Sequence, residues 1–470
     1  MSQQSGDSEE QHSYGDLVST VDIKGKRKWI YALQPKGKLY QKRTITSIVY
    51  LVLFFALPFV RINGSPLFLF NFPKATFILF GKVFLPQDAL ILGAGMMTGL
   101  VFIIVFTLVF GRVFCGWACP QTIFMEMVFR KIEYWIEGPA HKQQVADRKA
   151  WTTDLYIKKI TKHIVFFLVS FLIANTFLAY IIGTDELFKI ITEPVSQHVT
   201  GLLALIGFTT VFYIVFAFVR EIVCTVICPY GRLQSVLLNK DSLIVAYDYV
   251  RGEPRGKRKK EDSESNKIGD CIDCNLCVSV CPTGIDIRNG VQLECTNCTA
   301  CIDACNMMMA KVNRAPDLIK IASEAGISEG KPKKFTAKTK AYSAILVALL
   351  FVLTSLIVSR SMFDATILRV PGQILQENKD GTISNLYRIK VVSKSMQTQP
   401  YHLVLEEEHA KIEYVGKHLD SLYTGAAAEE TFFIKVPADK VLKRKEKYTI
   451  KLMSGNDVIQ TKSVTFIGEY

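Results

Sequence analysis

The chain has 470 residues, 49% of them hydrophobic, and a formal net charge of +13, yet its mean hydropathy is positive. So apolar an average alongside this many lysines excludes an ordinary soluble protein; the apolar residues must be concentrated in runs. The charge by itself would suggest nucleic acid, but no nucleic-acid motif accompanies it, and cytoplasmic loops of a membrane protein explain it more simply.

Residues 1–43 read as a cytoplasmic tail, polar and then basic (KGKRKW, KGKLYQKR), without the apolar core of a cleavable secretory signal. Apolar stretches follow at about Thr44–Val60, Ala89–Phe110, Ile164–Ile182, Val199–Val219 and Ala341–Val358. Each approaches the roughly 20 residues that cross a hydrocarbon core of about 30 Å. Between the first two lies GSPLFLFNFPKATFILFGKVFLP (64–86), apolar but broken by prolines and glycines. We read it as an interfacial or re-entrant segment, with a sixth span as the alternative.

Lysine and arginine set the expected topology. The N-terminal tail, the segment 111–160 (with Arg130, Lys131, Arg148, Lys149, Lys158 and Lys159) and the segment after Arg220 are rich in them, whereas 61–88 and 183–198 hold few. Five spans then place the N-terminus inside and the C-terminus outside; six would break this parity.

Spans two and four end on related stretches, FCGWACPQ (114–121) and VCTVICPY (223–230). Proline disfavours helical geometry at Cys119 and Cys228 and suits the first turn of a new helix, so a turn at the membrane surface is expected. After the first pair, IFMEMVFRKIEYWIEG has the spacing of an interfacial amphipathic helix; Tyr230-Gly231-Arg232 could open a similar segment. The halves form a weak duplication that can bring four thiolates, Cys115, Cys119, Cys224 and Cys228, to one interface. Three roles compete: a dithiol/disulfide relay, a thiolate site for a soft metal such as Cu(I), or buried cysteines acting as small hydrophobes, which leaves the duplication unexplained.

The run RGEPRGKRKK (251–260) reads as a solvated linker resting on anionic headgroups. Beyond it, Cys271, Cys274, Cys277 and Cys281 form CIDCNLCVSVCP, and Cys295, Cys298, Cys301 and Cys305 form CTNCTACIDACN, so all twelve cysteines fall in patterned groups. The spacing C-x2-C-x2-C-x3-C-P is that of bacterial two-cluster ferredoxins, in which the fourth cysteine of each run serves the other cluster. Cys271, Cys274, Cys277 and Cys305 would hold one 4Fe-4S cluster; Cys295, Cys298, Cys301 and Cys281 would hold the second. Asn306 departs from the pattern by replacing the second proline, which puts the local turn in doubt more than the cluster. Structural zinc fits a duplicated run of three evenly spaced cysteines poorly, and a reducing cytosol disfavours disulfides. Met307–Met309 read as packing against the cluster domain rather than as thioether copper ligands.

From about Met362 the chain becomes strand-like: YRIKVVSKS, YHLVLEEE, TFFIKVP, KYTIKLMSG and KSVTFIG are separated by turns such as Asp380-Gly381 and Gly455-Asn456-Asp457. Six or seven strands without cysteine suggest an immunoglobulin-like sandwich held by its core alone. His402, His409 and His418 read as surface histidines rather than metal ligands. The fold class is thus a multi-span α-helical membrane protein with an inserted two-cluster ferredoxin-like domain and a C-terminal all-β immunoglobulin-like sandwich. Its expected parts are a tail (1–43), a four-span membrane domain (44–240), the ferredoxin-like domain with linkers (241–340), a fifth span (341–359) and a periplasmic β domain (360–470).

Two Cys-x3-Cys-Pro pairs at the ends of spans, a two-cluster ferredoxin insert, one more span and a terminal β domain resemble the CcoG (FixG/RdxA) family over nearly the whole chain. The resemblance implies an accessory protein of cbb3-type cytochrome c oxidase in a bacterial inner membrane, an oxidoreductase reducing Cu(II) to Cu(I) during oxidase assembly. On that reading Cys115, Cys119, Cys224 and Cys228 are the catalytic and copper-binding residues and the clusters supply electrons. The implied partners are the oxidase assembly machinery, copper-handling proteins and a cytosolic electron donor. Alternatives are a quinol-linked electron-transfer subunit and a non-catalytic copper chaperone or scaffold. The oligomeric state, a homodimer included, is open at this level.

Overall fold

The computed structural model describes residues 27–256, 268–330 and 336–468, except positions 63, 74, 151, 195, 361–362, 371, 373–374, 395–398, 417, 419–420, 423–426, 442 and 456. The tail before residue 27, the basic residues 257–260 and the turn residue Asn456 lie outside the described residues.

Among the described residues five helices are long and apolar enough to cross a membrane: Lys38–Phe59, Ala89–Phe110, Thr153–Ile182, Val199–Val219 and Ala337–Val358. The first starts at Lys38 rather than Thr44 because its free N-terminal N–H groups have a partner. Leu39 and Tyr40 donate to the Asp303 carboxylate at 3.2 and 2.7 Å, an anionic cap on the positive end of the helix. The third starts at Thr153 rather than Ile164. Its added turns carry Lys158, Lys159 and Lys162, each ion-paired with a carboxylate.

The chain forms two compact units. One takes the residues up to Phe55, Thr98–Phe177 and Ile190–Ala348; the other takes Ala56–Met97, Leu178–Lys189 and the residues from Leu349 onward.

In the first unit, IFMEMVFRKIEYWIEG is not the interfacial amphipathic helix expected. It runs as a wide π turn, Ile123–Phe129, into the helix Arg130–Ile136, and most of it is covered, Trp135 being exposed. Phe124, Met125 and Phe129 pack against Phe166, Ile173 and Phe216. Its charged side is buried as well, because its partners come from elsewhere in the chain. Arg220 donates to both oxygens of Glu133 (3.2 and 2.8 Å), and Lys162 pairs with Glu137 at 2.8 Å. Although burial pushes the Glu133 carboxyl upward, the charge and hydrogen bonds of Arg220 bring it down to about 2. Buried charges persist only when paired this closely.

The iron–sulfur motifs sit between two strands, Ile244–Tyr247 and Ile319–Ala322, which pair antiparallel with Val245 opposite Ile321. Val245, Ile285, Ile287, Ile302, Met309 and Leu318 form the core of this insert. Met309 is therefore a packing residue.

In the second unit, residues 64–86 are neither re-entrant nor a span. Phe68–Asn71, Thr76–Leu79 and Lys82–Phe84 form a three-stranded antiparallel sheet. The many Phe, Ile and Val residues favour strands, and the breaks that stopped a helix serve as turns. Its apolar side, with Ile78, Val83 and Leu85, packs on Val392.

The C-terminal chain is a two-sheet sandwich. Lys411–Val415, Ala427–Pro437, Thr382–Ser393 and Phe363–Arg369 form one sheet; His402–Leu405, Lys445–Ser454 and Asp457–Ile467 form the other. Phe363, Tyr387, Ile389, Phe432, Tyr448 and Phe466 fill the space between them. Hydrogen bonds stand where a disulfide could bridge the sheets. Buried Asn385 donates to the Ile467 carbonyl (2.8 Å) and accepts from the Ile467 N–H (3.1 Å), and the Tyr387 hydroxyl donates to the Thr465 carbonyl at 2.8 Å.

Candidate metal centres

The two C-x2-C-x2-C loops share one backbone design. Asp273 and Asn275 in the first, and Asn297 and Thr299 in the second, take left-handed conformations with φ between 53 and 64°. Asp and Asn tolerate this region, but a β-branched threonine does so only under strain. Thr299 is buried, with its hydroxyl donating to the Cys298 carbonyl at 2.7 Å.

These loops enclose two cavities. Cys271, Cys274, Cys277 and Cys305 line one. Cys281, Cys295, Cys298 and Cys301 line another, which Cys277 also borders. Each cavity therefore has three sulfurs from one motif and the fourth from the other, within largely apolar walls. Four thiols around an apolar cavity suit a cubane cluster. A single zinc ion would require four ligands about 2.3 Å from one point, which a duplicated run of three evenly spaced cysteines offers poorly. Burial pushes the thiols of Cys277 and Cys295 up to about 12 and that of Cys305 to about 11, so the thiolates need the positive iron core they would bind.

Asn306 has a structural reason. Cys305 lies inside the helix Ala300–Lys311, where proline would remove a hydrogen bond and clash with the preceding turn. Asn306 instead exchanges two hydrogen bonds with Asp317, at 3.1 and 2.7 Å. The cavities also differ in access: Cys274 is exposed, whereas Cys298 is buried. Cys298→Ser is expected to reduce iron and acid-labile sulfide to about half, with Cys274→Ser removing the other share. Unchanged iron content in both variants would contradict this ligand assignment.

The paired cysteines form a third site. Cys119 and Cys228 have extended backbones (φ −66°, ψ 126° and φ −69°, ψ 112°), and Pro120 and Pro229 each begin a helix behind them. The two halves serve each other. The Cys115 thiol donates to Gln234 Oε1 of the second half at 3.1 Å, and Cys224 lies 4.0 Å from the Thr122 hydroxyl of the first. All four sulfurs are close enough to interact electrostatically. Burial pushes Cys115 up to about 11, with Arg112 opposing, and Cys224 up to about 12.

This site touches the second cluster loop. A Cβ on Gly116 would lie 2.6 Å from the Thr296 carbonyl oxygen, 2.9 Å from that of Asn297 and 2.9 Å from Cys298 Cα. The Gly116 carbonyl accepts from Arg43 Nε at 2.8 Å, which fixes the turn. Sequence reasoning centred on cysteine missed Arg43, Arg112 and Gln234. The available signal was a polar or charged residue at the edge of an apolar run, within reach of a cysteine pair.

Among the described residues the histidines of the β domain and of the third and fourth spans do not gather. His409 is 3.4 Å from the Tyr448 hydroxyl and His418 Nδ1 is 2.9 Å from Glu430, while His402 is exposed on a strand. In the other unit, His163 Nδ1 meets the Tyr213 hydroxyl at 2.9 Å and His198 pairs with Glu193, so these two have separate partners.

Three stretches of the chain match known protein families. Residues 219–324 match a 4Fe-4S dicluster domain, 92–138 a 4Fe-4S binding domain, and 353–469 the IG-like fold at the C-terminus of FixG. A chain so built is a membrane iron–sulfur electron-transfer protein. It is 32% identical to Protein RdxA of Cereibacter sphaeroides, over 70% of this chain and 71% of that one, and 28% identical to Protein RdxB of the same organism, over 83% and 84%. It is 31% identical to the Nitrogen fixation protein FixG of Rhizobium meliloti over 66% of this chain, a match spanning 60% of that protein's own length. The chain belongs to the FixG/CcoG family.

Proposed function

We propose that this protein reduces Cu(II) to Cu(I), with Cys115, Cys119, Cys224 and Cys228 receiving the copper, in support of cbb3-type oxidase assembly. The observation that carries the reading is the cross-served thiol site pressed, through Gly116, against the backbone of Cys298. Bound iron–sulfur clusters supply single electrons, the number that Cu(II) reduction needs. Thiols receive the ion and, as soft ligands, stabilise the reduced product. Exposed Cys274 marks the side on which a soluble donor would approach, and buried Cys298 adjoins the thiols. The lysine and arginine pattern supports a cytoplasmic N-terminus and metal centres, with the β domain periplasmic and available to oxidase maturation and copper-handling partners.

Chemically reduced protein carrying both Cys119→Ser and Cys228→Ser should lose most of its Cu(II) reduction, about tenfold or more, while keeping its iron. An unchanged rate and stoichiometry would sink the role assigned to the pairs. Tight Cu(I) binding without any reduction would instead identify a copper chaperone.

A further inference from the structure

Arg112 lies between the thiol site and one of the two cluster cavities. It is 4% exposed, just beyond the apolar helix Ala89–Phe110. Its Nε donates to Gln234 Oε1 at 3.3 Å, the same oxygen that accepts the Cys115 thiol at 3.1 Å. Its Nη1 donates to the Leu293 carbonyl, two residues before Cys295. Gln234 is itself buried and held from behind, its amide donating to the Thr107 hydroxyl at 3.3 Å. A guanidinium with several fixed donors can hold both neighbours at once, which a lysine ammonium does less rigidly. Gly231 leaves room for it: a Cβ there would lie 2.9 Å from Arg112 Nη2.

We infer that Arg112 is a positioning residue shared by the two sites, coupling occupancy of the Cys115 thiol site by copper to the potential of the cluster held by Cys281, Cys295, Cys298 and Cys301. A buried positive charge favours the more negative, reduced form of a neighbouring centre. Cu(I) binding displaces the thiol protons, so two neutral thiols and one Cu(I) become a centre of net charge −1 beside Gln234 and Arg112, which should make reduction of the adjacent centre harder. The inference rests on the reading of the paired cysteines as the copper site.

The test is a redox titration of the full-length protein, followed by EPR, with and without Cu(I) added anaerobically. In the wild type, Cu(I) should move one of the two reduction waves to lower potential. Arg112→Gln should shift that same wave about tenfold toward the oxidised form, about 59 mV for one electron, and leave the other in place. Arg112→Lys should restore part of the shift. Gln234→Leu, which keeps the bond from Arg112 to Leu293, should leave the resting wave unmoved and abolish the response to Cu(I). Equal movement of both waves, or of neither, in Arg112→Gln would overturn the inference. So would a full Cu(I) response in Gln234→Leu, which is the decisive variant if Arg112→Gln loses iron. A shift in Arg112→Gln with no Cu(I) response in the wild type would instead remove the copper reading and with it the coupling, leaving Arg112 an electrostatic neighbour of one cluster.

Discussion

Gly116→Ala should slow Cu(II) reduction by about tenfold or more while leaving iron and sulfide content unchanged. Gly116 lies in the short helix Val113–Trp117, so alanine suits its backbone and only the new methyl matters. That methyl would meet three backbone atoms of the facing loop at 2.6 to 2.9 Å, closer than real contacts allow. Backbone cannot rotate aside as a flexible side chain can, so the thiol turn and the Cys298 loop must separate. Such overpacking typically costs about 1–3 kcal/mol, enough to disturb a contact without unfolding the domain. Stopped-flow mixing of reduced protein with Cu(II), with iron measured on the same sample, checks this. A wild-type rate would show that the close approach does not matter to transfer.

Asp88→Asn should destabilise the second unit by about 3–5 kcal/mol, because it leaves buried Arg360 without its counter-charge and Lys394 with only Asp364 at 3.8 Å. Asp88 is 4% exposed; Arg360 reaches Oδ2 and Lys394 reaches Oδ1, both at 2.6 Å, and these side chains are only 11% and 6% exposed. The Leu85 N–H adds a third hydrogen bond at 3.3 Å. Burial alone would raise the carboxyl, but the bonds from Arg360, Lys394 and Leu85 outweigh it and hold it below the usual range. With the folded value below the unfolded one, near 3.9, the pair's contribution is complete above the unfolded value. It is lost as pH falls through the folded value. Thermal melting of the wild type should therefore drop steeply in acid, and Asp88→Asn should start lower and lack that part of the decline. Equal melting temperatures at neutral pH would refute the assignment.

The cysteine groups were legible in the sequence because ligand spacing is a local property. Three sulfurs two residues apart describe a loop whatever surrounds it, and a proline after Cys119 or Cys228 dictates an extended residue and a new helix. The five spans were legible for a similar reason, since length and apolarity are additive along a segment. Residues 64–86 were not, because apolar content alone does not separate a strand from a membrane-lying segment; what decides is packing against Val392, more than 300 positions later. The charges of Glu133 and Glu137 suggested the polar face of an interfacial helix for the same reason. Their partners, Arg220 and Lys162, come from elsewhere in the chain, and no periodicity within residues 123–138 could reveal them. Arg112 and Gln234 carry the longest inference here, and they lie 122 positions apart.

The most direct test of electron delivery to copper is a freeze-quench EPR experiment on anaerobically reduced protein mixed with a stoichiometric amount of Cu(II). The Cu(II) signal and the reduced-cluster signal should disappear together, one spin for one, in the wild type. Both signals should persist when Cys119 and Cys228 are serine. If the Cu(II) signal remained in the wild type while the clusters stayed reduced, the paired cysteines would not be where this protein delivers its electrons.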